Sequence, residues 1–292
     1  AAPRRFCLKR NRDSREACSS IVKFNAFSEA QGSRNVTNTL YDALIAPHAK
    51  SDATFLTLDD GRTLSFADFT CRVAQLAHVL QDAGVSAGDR GLVQATKLLD
   101  TIALYGAAVQ TGAVYLPLNT AYTQTELAYF IEDAGPKVVV CDASSQAEVA
   151  SISADGTTIL TLDAKGQGTL SAQADAQSKT VETVPRGPED PAALLYTSGT
   201  TGRSKGAMLS HENLLSNAQS LTDLWQISAD DRLIHALPIF HTHGLFVAMN
   251  TSLLAGAQVR FMTAFDIDTF VAELPQSTML MGVPTFYTRL LG

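Results

Sequence analysis

Paired cysteines are missing from this chain. The four present, Cys7, Cys18, Cys71 and Cys141, lie far apart with no short spacing between any two. That argues against a disulfide framework and a cysteine zinc site, and fits a reducing compartment. No apolar run is long enough to span a bilayer. Charged residues are few, 17% of 292, and with 46% hydrophobic residues the composition is that of an ordinary globular protein with a large core. Basic charge is scarce beyond the first 36 residues. Those residues hold eight Lys and Arg against three Asp and Glu, a balance of +5, so the net charge of −7 leaves −12 for the rest. An acidic body argues against a nucleic-acid partner. The Arg-rich start has the composition of a mitochondrial transit segment but no initiator Met and no secretory apolar run. It reads as a targeting segment or an upstream extension. The expected location is cytoplasmic, or the mitochondrial matrix if residues 1–36 are a transit segment.

What the chain does have, from about Thr39, is alternation. "TFLTL" (54–58), the Asp59-Asp60-Gly61 turn and "RTLSF" predict a hairpin. Ser65 is placed to cap a helix with Phe66, Phe69, Val73, Leu76 and Leu80 on one face, ending at Gly84. A strand near 91–94, a helix over about 98–110, a strand over 113–119, a helix from Thr123 to Asp133 and the strand "KVVVCD" (137–142) follow. Residues 164–180 lose the periodicity and read as a surface loop or linker, closed by "PRGPEDP" at 185–191. A second block runs through the strand "AALLYTS", a helix from His211 to about Trp225 capped by Ser210, the strands "RLIHALP" and "AQVRFM", the helix "DIDTFVAEL" and the strand "TMLMGV". It ends in a helix with Pro284 in its first turn. Strands alternating with helices predict an α/β fold of parallel sheets with helices on their faces. The two blocks suggest related halves. The domain division is a basic extension over 1–38 and a folded domain over 39–292.

From Thr197 to Gly206 the chain packs five hydroxyl side chains, three glycines and Lys205, and no carboxylate. It follows a buried strand, so it sits at a strand's carboxyl end, where open α/β sheets bind ligands. The glycines let successive N–H groups converge on an anion. The hydroxyls of Thr197, Ser198, Thr200, Thr201 and Ser204 add donors, and Lys205 adds a mobile positive charge. This is a phosphate loop. It differs from the P-loop of nucleotide hydrolases in its spacing, in having Gly206 rather than Ser or Thr after the lysine, and in leading into a strand, "GAMLS", where the P-loop leads into a helix.

"YTSGTTGRSKGAMLSHENL" resembles the phosphate-loop signature of the adenylate-forming superfamily: acyl-CoA and aryl-CoA synthetases, peptide-synthetase adenylation domains and luciferases. "GAVYLPLN" (112–119) resembles its upstream signature, with Thr120 where a proline is common. "LPIFHTHGL" (237–245) resembles its substrate-side signature. All three occur in the family's order, and the resemblance covers about 39–292.

The resemblance implies the large N-terminal domain of that fold, two βα-layered subdomains, with ATP, Mg²⁺ and CoA as cofactors. A carboxylate attacks the α-phosphate of ATP to give an acyl-adenylate and pyrophosphate, and CoA then displaces AMP. It assigns Thr197, Ser198, Gly199, Thr200, Thr201, Gly202 and Lys205 to ATP phosphates, and Phe240 with His241 to the edge of the acyl pocket, His241 as a catalytic residue. His241 and His243 are not expected to bind metal, because two residues apart on a helix they share no face. "GVPTFYTRLL" (282–291) with "FHTHG" is similar to malonyl-CoA synthetases, including those that accept methylmalonate, and points to Arg289 as the partner of a second carboxylate. Short- or medium-chain and aryl acyl-CoA synthetases are the alternatives. The family segments for ribose and Mg²⁺, and the small C-terminal domain with its lysine, have no counterpart in residues 1–292, so this stretch alone is expected to be inactive. A truncated, noncatalytic nucleotide-binding module is the competing expectation.

Overall fold

A computed structural model of the chain describes residues 7–9, 38–197 and 204–291. Among them lie two six-stranded sheets. One is built from β4 (Arg90–Gln94), β5 (Val114–Pro117), β6 (Val138–Cys141), β7 (Thr158–Thr161), β8 (Pro191–Thr197) and β9 (Lys205–Ser210), in the order β7-β6-β4-β5-β8-β9. It is parallel except for β9, which runs antiparallel to β8. The other contains β1 (Cys7–Lys9), β2 (Thr54–Thr57), β3 (Thr63–Ser65), β10 (Arg232–His235), β11 (Gln258–Phe261) and β12 (Met279–Met281), in the order β1-β12-β10-β11-β2-β3. Its four inner strands are parallel, and β1 and β3 close the edges antiparallel.

The two sequence blocks are therefore not the two sheets. The β2–β3 hairpin of the first block joins the second sheet, and the β8–β9 hairpin of the second block closes the first. The basic extension, set apart by its composition, contributes β1 against β12.

Local signals explain the main helices. Helix α2 (Phe66–Asp82) starts in a capping box between Ser65 and Asp68, and α4 (Gln124–Ala134) in one between Thr123 and Glu126. Each box satisfies amide donors that a helix start leaves open. Helices α3 (Leu99–Thr111) and α4 end on Gly112 and Gly135, both at positive φ, a conformation that glycine adopts without a Cβ penalty. Helix α2 buries Phe66, Phe69, Val73, Leu76 and Leu80. Each is worth roughly 1.5–3 kcal/mol relative to exposure. Helix α3 is buried nearly all round, and with α2 and strands of both sheets it forms one shared apolar core.

One sequence expectation is overturned. Residues 164–180, read as a loop, contain α6 (Thr169–Asp175). Leu170 and Ala174, one turn apart, are fully buried. A long-range ion pair supplies the rest. Arg72 on α2 grips Asp100 on α3 with Nε and Nη2, both at 2.7 Å, and reaches Asp175 at the end of α6 with Nη1 at 2.7 Å. A helix held by two apolar residues and a distant arginine carries little periodicity of its own. Helix α5 (Gln146–Ile152) and strand β7 were likewise not anticipated.

Helix α7 (His211–Trp225), capped by Ser210 as expected, begins on a buried histidine. His211 Nδ1 accepts the Leu40 amide at 3.4 Å, and its Nε2 has no partner. Burial, with Arg186 nearby, lowers its pKa to about 4, against a weaker opposite pull from Asp190. The unfolded chain therefore binds a proton at this residue between pH 6.5 and 4 that the folded chain refuses. The stability tied to it is complete above pH 6.5 and lost as pH falls toward 4, about 2–3 kcal/mol in all. Urea midpoints of wild type and His211→Asn, measured from pH 7 to 4.5, check this. The variant should lose less stability on acidification. Parallel pH curves would show that His211 is not the group responsible.

Candidate active site

The β8–β9 hairpin carries the stems of the hydroxyl-rich loop. Thr197, the last residue of β8, and Lys205, the first of β9, are register partners, and Thr197 Oγ1 lies 3.5 Å from the Lys205 carbonyl. Both side chains are exposed. Ser198, Gly199, Thr200, Thr201 and Gly202 lie outside the described residues. Lys205–Ser210 is a strand, as read from "GAMLS".

Helix α4 braces both stems of this loop. Tyr196 Oη donates to Asp133 at 2.5 Å, and Tyr129 Oη donates to the Ser204 carbonyl at 2.8 Å. Burial, then Asp133, raises the Tyr196 pKa, so the phenol keeps its proton. Phe130 packs on the Tyr196 ring at 4.4 Å. Anchored stems reduce the conformational entropy that a loop loses when it closes on any ligand.

Strand ends of both sheets meet around one cavity. A cavity of about 170 Å³ is lined by residues just past β4 (Thr96, Lys97), the end of β5 and just beyond (Pro117, Thr120), the stretch after β10 (Phe240) and Thr263 after β11. All are at or just beyond carboxyl ends of parallel strands, the expected binding edge of such sheets.

After β10 the chain turns through 236–242 and enters a π-helical segment, His243–Met249, continued by α8 (Asn250–Ala255). Short π segments are frequent at functional sites. His241 is exposed beside Phe240, ring centroids 4.5 Å apart, while His243 is buried. Desolvation lowers the His241 pKa, so the imidazole is neutral at pH 7 and can either donate or accept a hydrogen bond. A Cβ on Gly244 would lie 2.0 Å from the Pro238 carbonyl oxygen. Only glycine lets the helix start close over this turn.

Arg289 lies on α10 (Pro284–Leu291), which follows β12. It is exposed, its guanidinium carbon 5.9 Å from the Phe265 ring centre, and among the described residues it makes no ion pair and does not line the cavity. Thus Phe240 and Lys205 come from different sheets, while Arg289 lies on the helix after β12. Among the described residues no three His, Cys, Asp or Glu side chains form a metal set. Sequence reasoning missed Lys97 and His235. Both are buried, and they meet across 138 residues of chain.

The first sheet thus carries the stems of the hydroxyl-rich loop with Lys205, and the second carries the Phe240–His241 turn. The chain belongs to the AMP-binding enzyme family, whose model matches residues 45–292. Its architecture is that of the N-terminal domain of the adenylate-forming fold. It is similar to ATP-bound MatB from Rhodopseudomonas palustris, with 48% identity and a TM-score of 0.84 over 87% of this chain and 51% of that one. A feruloyl-CoA synthase of an Amycolatopsis species is 32% identical over 247 residues, 84% of this chain and 48% of its own length. A malonate–CoA ligase of Arabidopsis thaliana is 29% identical over 196 residues, 62% of this chain and 32% of its own. The chain spans about half the length, or less, of these relatives. No helix among the described residues is long and apolar enough to cross a membrane.

Proposed function

We propose that the full-length protein containing this chain is an acyl-CoA ligase that joins malonate, or methylmalonate, to CoA through an acyl-adenylate. The carrying observation is the cavity at the carboxyl ends of strands from both sheets, bordered by Phe240, together with the Thr197–Lys205 pair that opens the hydroxyl-rich loop on β8–β9. In this reading a carboxylate oxygen attacks the α-phosphorus of ATP and pyrophosphate leaves. The CoA sulfur then attacks the acyl carbon and AMP leaves. Lys205 and the loop hydroxyls offset charge on the departing phosphates. Neutral His241 donates a hydrogen bond to the reacting carboxylate. Mg²⁺ bound to the triphosphate would share the charge, and such an ion needs few protein ligands. No residue of this chain is assigned to it.

For the acid, the reading rests on "TFYTRLL" with "FHTHG", on the 48% identity to MatB, and on the malonate–CoA ligase among the relatives. Arg289 is then the partner of the distal carboxylate. Its fork suits bidentate carboxylate binding, and it has no competing ion pair among the described residues.

The test is a panel of specificity constants for malonate, methylmalonate, acetate, hexanoate and ferulate in the full-length protein. Malonate and methylmalonate should lead. Arg289→Met should lower malonate use by about tenfold, because the arginine is exposed and its pair is partly screened, while monocarboxylates change little. A wild type that prefers ferulate or hexanoate, or an Arg289→Met variant that loses every acid equally, would replace the dicarboxylate reading with an aryl or aliphatic one.

A further inference from the structure

Lys97 is almost fully buried in the link between β4 and α3. Its Nζ lies 2.8 Å from His235 Nδ1 and 2.9 Å from the His235 carbonyl oxygen, and 4.5 Å above the centre of the Phe261 ring. His235, the last residue of β10 and also buried, places Nε2 2.7 Å from the Gly244 carbonyl oxygen. A carbonyl only accepts, so Nε2 carries the proton and Nδ1 holds the lone pair that Lys97 meets. The tautomer is fixed from both sides. Lys97 thus spends its donors on His235 and faces an aromatic ring with what remains, which leaves it a strut more than a ligand, although it borders the cavity.

The strut joins things that are otherwise separate. Lys97 follows β4 of the sheet that carries the β8–β9 loop, and His235 ends β10 of the sheet that carries the 236–243 turn. His235 and Gly244 are the two ends of the segment that holds Phe240 and His241. Building on the ligase reading above, we propose that Lys97 is a positioning residue. Acting through His235, it fixes the 236–243 turn, and so His241 and the bound acid, relative to the phosphates held by the other sheet. Burial lowers the pKa of Lys97 well below its ordinary value, against the pull of Asp59, and lowers that of His235 likewise, with Lys97 adding to it. Neither proton state removes the N–H donors of Lys97, so the strut holds across the working pH range.

The test combines kinetics and spectroscopy. In the full-length protein, Lys97→Met and His235→Gln should each raise KM for the carboxylic acid by about tenfold while KM for ATP stays within about twofold, since one buried hydrogen-bonded contact is lost on the acid side only. His235→Gln keeps a donor toward Gly244 and removes the acceptor for Lys97. The double variant should be no worse than the worse single one, because both changes cut the same connection. Additive losses, or a Lys97→Met loss far above that of His235→Gln, would show that Lys97 acts directly on substrate and overturn the proposal. So would equal effects on the two KM values. Nitrogen-15 spectra of the ring, which need no substrate, should show His235 neutral with its proton on Nε2 from pH 5.5 to 8, and a changed Nδ1 shift in Lys97→Met. An Nδ1-protonated ring overturns the strut. Wild type without acid-dependent exchange for any acid overturns the ligase reading instead.

Discussion

Replacing Lys205 with alanine in the full-length protein should slow carboxylate-dependent ATP–pyrophosphate exchange by about one to two orders of magnitude. Lys205 opens β9 directly opposite Thr197, is exposed, and is the lysine of a stretch with five hydroxyls and no carboxylate. A charge-assisted hydrogen bond to a phosphate is worth about 1.5–3 kcal/mol, and pyrophosphate gains charge as it leaves, so the loss falls on the rate as well as on binding. Stability should not move, because Lys205 is exposed and its side chain makes no ion pair among the described residues. Exchange within about twofold of wild type would fall far short of that energy and remove Lys205 from the phosphate site.

Gly244→Ala should be the most damaging single substitution on the acid side. Its methyl would sit 2.0 Å from the Pro238 carbonyl oxygen and 3.3 Å from Leu237 Cβ, backbone and core atoms with little room to retreat. The same residue's carbonyl receives the His235 N–H. Relief requires the 238–244 turn to open, which moves Phe240 and His241 and strains the strut from Lys97. Overpacking of a closed site costs about 1–3 kcal/mol and sometimes more, here expected at the upper end. A melting temperature lower by roughly 5–10 °C is the scale for a domain of this size. Acid-dependent exchange should fall further than ATP binding does. An alanine variant with unchanged melting and unchanged KM for the acid would mean the turn is not closed as described.

Where local chemistry determined an element, the sequence was enough. Ser65 and Thr123, each with a carboxylate three residues on, start α2 and α4, and the helices read over about 98–110 and 123–133 are α3 and α4, which stop at Gly112 and Gly135. The β8–β9 strands were readable because apolar residues flank a loop whose composition suits an anion. Other features depend on distant partners. Helix α6 needs Arg72 from another helix, and no window around 164–180 contains it. The assignment of strands to sheets depends on which neighbour each one pairs with, and alternation marks a strand without naming its neighbour. The segment 243–255 is buried on nearly every side, Asn250, Thr251 and Ser252 included, so its residues show no apolar-polar period to mark a helix. The motif residues of the candidate site were nominated through the family resemblance, whereas Lys97 and His235 look like ordinary members of "QATKLL" and "RLIHAL" until the fold brings them to 2.8 Å.

The central claim is that a carboxylate is activated by transfer to the α-phosphate of ATP. The full-length protein should be given malonate labelled with oxygen-18 in its carboxylates, together with ATP and CoA, and the products read by mass spectrometry. An acyl-adenylate route carries one carboxylate oxygen into AMP, so AMP should gain one heavy oxygen for each malonyl thioester formed, and pyrophosphate should gain none. Label in inorganic phosphate with ADP as the nucleotide product, or thioester formed with unlabelled AMP, would contradict it.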